Sequence, residues 1–420
     1  MEYHFENNPG FAEAADRNDP LQKYRDRFYF PGHNGRDVIY FCGNSLGLQP
    51  RNVAAAIETE LQSWRELAIA GYFSGPNPWL KFHEYLAPAL GKMMGASESE
   101  ITVMNALTVN LHLLMMSFYQ PTRQRYKILM EAGAFPSDQY AVETQVKLHG
   151  FAPEDAIIEV TPRKNEKLIR EADILDAIEQ SGDSLALVLL GGINYYTGQF
   201  FDIEKITATA HAFGIPAGWD LAHVAGNVPV QLHNWEVDFA VWCSYKYLNA
   251  GPGGAGGVFV HEKHAGNTGL NRLGGWWGND EKTRFRMEKG FNPKQGAAGW
   301  NVSTTQVFNC VALKASLEIF TEATMDKIRQ KSILLTGYLE FLLHQLSLPF
   351  EILTPADPQK RGAQLCLYFQ ENGKAIQEKM IRNGIVTDYR EPGVIRVAPA
   401  PLYCSFGDVY RFYEILKNNF

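Results

Sequence analysis

Lys246 is the residue of this sequence best placed for covalent chemistry. It follows the apolar run Val237–Cys243 after only Ser244 and Tyr245, and a Gly-rich turn comes next. A lysine desolvated at a strand end near other cations is a competent imine former, whereas a lone lysine in a loop is more commonly a solvated charge. Asp220 closes a second apolar run that begins at Ile215. A carboxylate there is costly without a cationic partner, and a pyridinium nitrogen would be one. His223 could touch the same ring or be a satisfied core histidine. Thr108 opens a helical pattern whose first amides suit a phosphate, although alone it reads more simply as a cap. Phe135-Pro136-Ser137-Asp138 begins another helix with ordinary start residues, but Phe135 projects from a strand end where a flat heterocycle could stack. Arg396 could pair bidentately with a carboxylate or cover a sheet edge.

The elements that must position these residues alternate from about residue 100 onward. Ile101–Met104 leads into a helix with Leu111, Leu114, Met115 and Phe118 on one side, and Lys127–Glu131 leads into the helix after Phe135. Leu185–Leu190 is a near-continuous apolar strand of the kind buried on both faces. Upstream, 38–42 reads as a short buried strand, and Val53, Ile57, Leu61 and Trp64 form the stripe of a helix. Strand–loop–helix alternation predicts an α/β fold with a mostly parallel sheet, and ligands then sit beyond the carboxyl ends of its strands. After a helix carrying Leu313, Leu317 and Phe320 the pattern changes to strand 363–369, helix 373–382, strand 393–398 and a last helix capped at Ser405. The expected division is a large domain over 50–305 and a smaller α+β domain from 1–49 and 306–420.

Composition narrows the function class. The chain has 420 residues and a formal net charge of −7, which disfavours a nucleic-acid or anionic-membrane surface. No apolar run is long enough to span a bilayer, and the first residues, with Glu2 and Glu6, lack a signal-peptide pattern. Five widely spaced cysteines show no zinc or redox motif, so no metal is expected and a cytoplasmic enzyme is the natural reading. The Gly-rich stretch 251–257 fails as a dinucleotide motif, because Pro252 interrupts it and its strand follows rather than precedes.

Taken jointly, a phosphate at a helix start, a ring on an aromatic, an aspartate at the ring nitrogen and an imine-forming lysine describe pyridoxal 5′-phosphate. The order Asp220-Leu-Ala-His223 and Ser244-Tyr245-Lys246-Tyr247-Leu248-Asn249 resembles the kynureninase family, within the fold-type I (aspartate aminotransferase-like) pyridoxal phosphate enzymes. Phe41-Cys-Gly-Asn44-Ser45-Leu-Gly-Leu-Gln-Pro50, Met104–Asn110, Tyr195-Tyr-Thr-Gly-Gln199, Leu273-Gly-Gly-Trp276 and Val394–Pro399 are similar to that family as well.

The resemblance implies hydrolysis of L-kynurenine, and of 3-hydroxykynurenine, to the anthranilate and L-alanine, in tryptophan degradation or NAD biosynthesis. It implies that Lys246 holds the cofactor through an imine, Asp220 pairs with the ring nitrogen with His223 close by, and Tyr245 binds the phosphate and shuttles protons. Leu107 and Thr108 would also bind phosphate, and Phe135, Pro136, Ser137 and Asp138 would line the ring, with Gly191 at a position where some relatives carry serine. Trp276 and Thr304 would reach the phosphate from a second subunit, making a homodimer. Arg396 would clamp the substrate carboxylate, with Ser45, Tyr72 and Ser303 around the substrate. Tyr72 and Thr304 differ from the histidine and asparagine of some relatives, so the preference between the two substrates turns on them. Within the same fold the rivals are an aminotransferase and a cysteine desulfurase, which needs a cysteine in a mobile loop. From another class the rival is a cofactor-binding regulator, which needs a DNA-binding segment that the chain lacks.

Overall fold

A computed structural model describes residues 4–267 and 269–419; Glu2 lies outside them. The strands of its main sheet are β1 (Ile101–Met104), β2 (Lys127–Glu131), β3 (Ile157–Val160), β4 (Leu185–Gly191), β5 (Ala217–Asp220), β6 (Phe239–Trp242) and β7 (Gly256–Val260). They lie in the order β1-β7-β6-β5-β4-β2-β3. Only β7 runs against its neighbours, so six strands share one direction. The expected α/β architecture is therefore the observed one.

Helices cover both faces, and this explains the composition of β4. Leu185, Val188 and Leu190 enter one apolar cluster, whereas Ala186, Leu187 and Leu189 enter the other. The helix Leu107–Phe118 buries Leu111, Leu114, Met115 and Phe118, the side expected from their spacing. β5 starts two residues later than the apolar run because Pro216 has no N–H for the ladder. The buried Asp238 carboxylate accepts the Ala217 N–H at 2.7 Å at that same end.

The stripe expected on the helix Val53–Leu67 is corrected by the structure. Val53 is buried, but Trp64 is 58% exposed and rests on Phe308, while Glu60 and Ser63 face inward. The inner face is anchored by polar bonds: Glu60 accepts from Asn77 Nδ2 and Trp79 Nε1, each at 2.7 Å.

A second, antiparallel sheet comprises β8 (Glu351–Ile352), β9 (Leu365–Tyr368), β10 (Asp388–Arg390) and β11 (Val394–Val397), in the order β8-β9-β11-β10. The helix Gly373–Arg382 packs on it. A short strand at Ile39–Tyr40 pairs in parallel with Ile385–Val386, tying the early chain to this late region. The last helix, Phe406–Asn419, begins with a reciprocal cap: the Asp408 N–H donates to Ser405 Oγ, and the Ser405 N–H to the Asp408 carboxylate, both at 3.0 Å. Among the described residues no helix is long and apolar enough to cross a membrane.

Candidate functional site

The carboxyl ends of β2, β4, β5 and β6 meet at one cavity of about 170 Å³. Its wall contains Leu107, Thr108, Phe135, Ser137, Asp138, Gly191, Asp220, His223, Tyr245 and Lys246, and also Glu131, Ile193, Tyr195, Ala222 and Cys243. Ten of the expected residues are thus brought together, from segments far apart in the chain.

Lys246 sits in a loop held by backbone contacts. The Gly47 N–H donates to the Tyr245 carbonyl at 2.8 Å, and a Cβ on Gly47 would collide with the Lys246 carbonyl oxygen. Only glycine lets the loop Cys42–Gly47 pass that close. Lys246 Nζ lies 3.0 Å from His223 Nε2 and 5.8 Å from the centre of the Phe135 ring. His223 is buried, and its pKa is held well below the ordinary imidazole value by burial first, then by the positive charges of Lys246, Arg396 and Arg390. It is therefore a neutral imidazole that accepts from the lysine.

Three carboxyl groups share the floor of this cavity. Asp220 ends β5, accepts the Ala222 N–H at 2.7 Å, and hydrogen-bonds with Asp138. Burial pushes Asp138 well above the usual carboxylate range, reinforced by the Asp220 charge beside it, so Asp138 carries the proton and donates to Asp220. Glu131 ends β2, is buried, and accepts the Gly191 N–H at 3.1 and 3.2 Å through its two oxygens. Sequence reasoning overlooked Glu131. The signal was present, because a carboxylate closing an apolar strand was the very feature that marked Asp220.

The simple cap reading of Thr108 is corrected: Ala106 is the cap residue of the helix Leu107–Phe118, and no side chain caps it. Thr108 Oγ1 instead meets Ser137 Oγ at 2.8 Å, joining two helix starts. Pro136 stands at the first turn of its helix, where no N–H is needed, with Phe135 in the cap position. Burial, and then Cys243, pushes the Tyr245 phenol above its ordinary value, so it is a hydrogen-bond donor at neutral pH.

Arg396 forms a second constellation next to this one. It lies on β11, an interior strand, and is buried, so covering a sheet edge is not its role. It donates through Nε to Asp388 Oδ1 at 2.6 Å and through Nη2 to Asp388 Oδ2, its cross-strand neighbour. Nη2 also donates to Ser45 Oγ at 2.8 Å, and Nη1 to the Tyr195 carbonyl at 3.0 Å. Tyr195 lines the cavity and meets Phe135 edge-on at 5.2 Å. Asp388 carried no sequence signal, because it sits in a mixed polar run.

Tyr72, Trp276, Ser303 and Thr304 do not line the cavity of their own chain. They belong to a separate surface. Trp276 is 44% exposed and meets Phe285, which in turn meets Phe73 beside Tyr72. The glycine next to Trp276, Gly275, packs on the backbone of Val302, just before Ser303.

The cavity fits the cofactor expected from the sequence. His223 Nδ1 and Asp138 Oδ1 are buried with no partner among the described residues, and the helix at Leu107 opens on the same wall without a side-chain cap. Residues 328–416 match the family model described as the kynureninase C-terminal domain. A curated kynureninase from Myxococcus xanthus is 52% identical over 419 residues, covering 99% of this chain and 98% of that one. The chain belongs to the kynureninase family.

Solved structures extend the likeness in fold. An apo cysteine desulfurase from Thermococcus onnurineus has a TM-score of 0.76 at 16% identity, covering 96% of this chain and 97% of that one. A C-DES mutant with glycine covalently linked to its PLP cofactor has a TM-score of 0.74 at 19% identity, covering 91% and 96%. The fold is thus fold-type I. The desulfurase rival finds no exposed cysteine to use: all five are buried, Cys243 in the cavity wall among them.

Proposed function

We propose that this chain is a kynureninase, a pyridoxal 5′-phosphate-dependent hydrolase that cleaves the Cβ–Cγ bond of L-kynurenine to give anthranilate and L-alanine. 3-Hydroxykynurenine is its second substrate. The observation that carries this reading is Lys246 Nζ beside neutral His223 and over Phe135, in a cavity floored by Asp220 and Asp138.

Leu107, Thr108 and Tyr245 would hold the cofactor phosphate, Phe135 its ring face, and Asp220 its ring nitrogen. When bound, the cofactor supplies an electron sink for charge developing next to the substrate amine. Arg396 and Ser45 take the substrate carboxylate, on a guanidinium already oriented by Asp388. Lys246 Nζ would remove the Cα proton, and His223 would keep a hydrogen bond on that nitrogen without competing as a cation. Water adds to the γ-carbonyl, the Cβ–Cγ bond breaks to release anthranilate, and Cβ is protonated to leave alanine. Tyr245, a phenol that keeps its proton at neutral pH, relays protons in these later steps.

The working unit in this reading is a cytoplasmic homodimer, serving tryptophan degradation or NAD biosynthesis. Trp276 and Thr304 of one subunit reach the phosphate site of the other, with Tyr72, Ser303 and Thr304 around the aryl end. Each subunit divides into a large domain over 50–305 and a small one from 1–49 and 306–420. The test is to mix purified protein with pyridoxal phosphate and L-kynurenine and follow anthranilate fluorescence, then fix the cofactor with borohydride. Label on a peptide containing Lys246, absent in Lys246→Ala, is expected. Label elsewhere overturns the reading.

A further inference from the structure

Glu131 is a carboxyl on the cavity floor to which the mechanism above assigns no task. Its side chain is 3% exposed, and its oxygens accept from the Gly191 N–H and from its own backbone N–H. That amide is placed next to the chemistry. Gly191 pairs with Asp220 in the β4–β5 register, and the next amide, Gly192 N–H, donates to the Asp220 carbonyl at 2.7 Å. Glu131 therefore grips the backbone that sets where Asp220 ends its strand. The grip is close: a Cβ at position 191 would lie 2.9 Å from Glu131 Oε1, so the carboxyl fills the space a side chain there would take.

The charges around Glu131 decide its protonation state. Asp138, on the helix Pro136–Leu148, and Asp220, on β5, are carboxyls; among the described residues Lys246 is the one cation in the cavity wall, Arg396 and Arg390 stand behind it, and His223 is neutral. With Asp138 already protonated, one ammonium would still have to offset two buried carboxylates, and none of the described residues gives Glu131 a cationic partner of its own. We infer that Glu131 is a positioning residue that stays protonated at neutral pH, fixing the Gly191–Asp220 strand ends while adding no negative charge beside Asp220. Burial, reinforced by Asp220, points the same way and pushes its carboxyl up to about 8. An ionised Glu131 would compete with Asp220 for any cation bound between the strand ends. A neutral acid leaves that role to Asp220 alone. The assignment rests on the proposed cofactor only in giving Asp220 a ring nitrogen to hold.

Linkage makes this testable without turnover. An acid whose folded value lies above its unfolded one, about 4.3 for glutamate, weakens the fold as pH rises from the lower value to the upper. Glu131→Gln removes that drain and keeps an acceptor for the Gly191 N–H. The full chain, with and without added pyridoxal phosphate, is melted across pH 5 to 8.5. The melting temperature of Glu131→Gln minus that of wild type should climb with pH by roughly 3–5 °C for a chain of this size. Glu131→Met, with no acceptor, should start lower and show the same slope, which keeps the test alive if the glutamine variant folds poorly. With pyridoxal phosphate bound, the visible absorbance of wild type should carry an inflection near pH 8 that Glu131→Gln lacks. Parallel melting curves, or a difference that shrinks as pH rises, would mean an ionised Glu131 and overturn the inference. Failure of the protein to take up pyridoxal phosphate would instead sink the cofactor reading and leave the melting result standing.

Discussion

Asp388→Asn tests the carboxylate clamp through stability. The Arg396 side chain is 2% exposed and Asp388 14%, and the pair is bidentate across adjacent strands. Removing one partner of a buried pair costs about 3–5 kcal/mol, because a desolvated charge is left uncompensated. Arg396 would keep two neutral acceptors, Ser45 Oγ and the Tyr195 carbonyl, so the lower end, about 3 kcal/mol, is expected. The measurement is the urea midpoint of wild type and variant without ligand. A saturating amount of L-alanine, the smallest amino acid that carries the relevant carboxylate, is then added to each. Its anion should return to Arg396 much of what Asp388 supplied, so the variant gains more than wild type. A loss below about 1 kcal/mol would put the pair in the range of exposed ion pairs and refute the burial argument. Equal gains from L-alanine would show that Arg396 does not receive the carboxylate.

Asp220→Asn should lower kcat by a factor on the order of 10²–10³ while weakening pyridoxal phosphate binding far less, as read by anthranilate fluorescence and by cofactor titration; near-wild-type turnover would make Asp220 a strand-end residue only. Burial would raise the Asp238 carboxyl, but His211, His264 and Lys263 more than offset this and hold it far below the usual range. Its contribution is present above the unfolded value of about 3.9 and lost as pH falls below it, so the stability gap between wild type and Asp238→Asn should narrow in acid. A gap that stays constant from pH 7 to pH 3 would contradict that sign. Wild type should favour L-kynurenine over 3-hydroxykynurenine in kcat/KM by a factor on the order of 10, one missing hydrogen bond, and Thr304→Asn should move the ratio toward the hydroxylated substrate. A ratio that does not move removes Thr304 from the aryl pocket.

The sequence made the main sheet legible because its strands advertise themselves. β4 is aliphatic throughout, and a strand with both faces covered needs to be. The helix after β1 carried its inward side at regular spacing, and all four of those residues are buried. The edge strand β3 escaped notice for the opposite reason: Glu159 interrupts its apolar residues, and three of its four residues are not fully buried. The Val53–Leu67 helix was read correctly at Val53 and Ile57, which pack inward, but not at Trp64, because there its inner face is held by hydrogen bonds to Glu60, which hydrophobic spacing cannot register. Asp388 was invisible for a different cause. Its importance comes from standing opposite Arg396 across a ladder, and cross-strand register is a property of the folded sheet.

The same distinction separates what orients a ligand in the cavity from what binds it. In the proposed reading Lys246 determines where a covalent bond forms, but a lysine alone sets no direction. Direction comes from charge. The helix start at Leu107 and Thr108 presents unpaired N–H groups and the positive end of a dipole, which suit an anion. The strand ends at Glu131 and Asp220, with Asp138 on the neighbouring helix, present carboxyls gathered around two buried strand termini, which suit a cation. A molecule with a phosphate at one end and a protonatable ring nitrogen at the other is favoured in one orientation and opposed in the reverse, before Lys246 reacts. For this polarity to be sharp, the acidic end has to carry its negative charge at one atom group rather than three. That is what protons on Asp138 and Glu131 accomplish, and it gives a physical reason for three carboxyls to stand where one carboxylate is used.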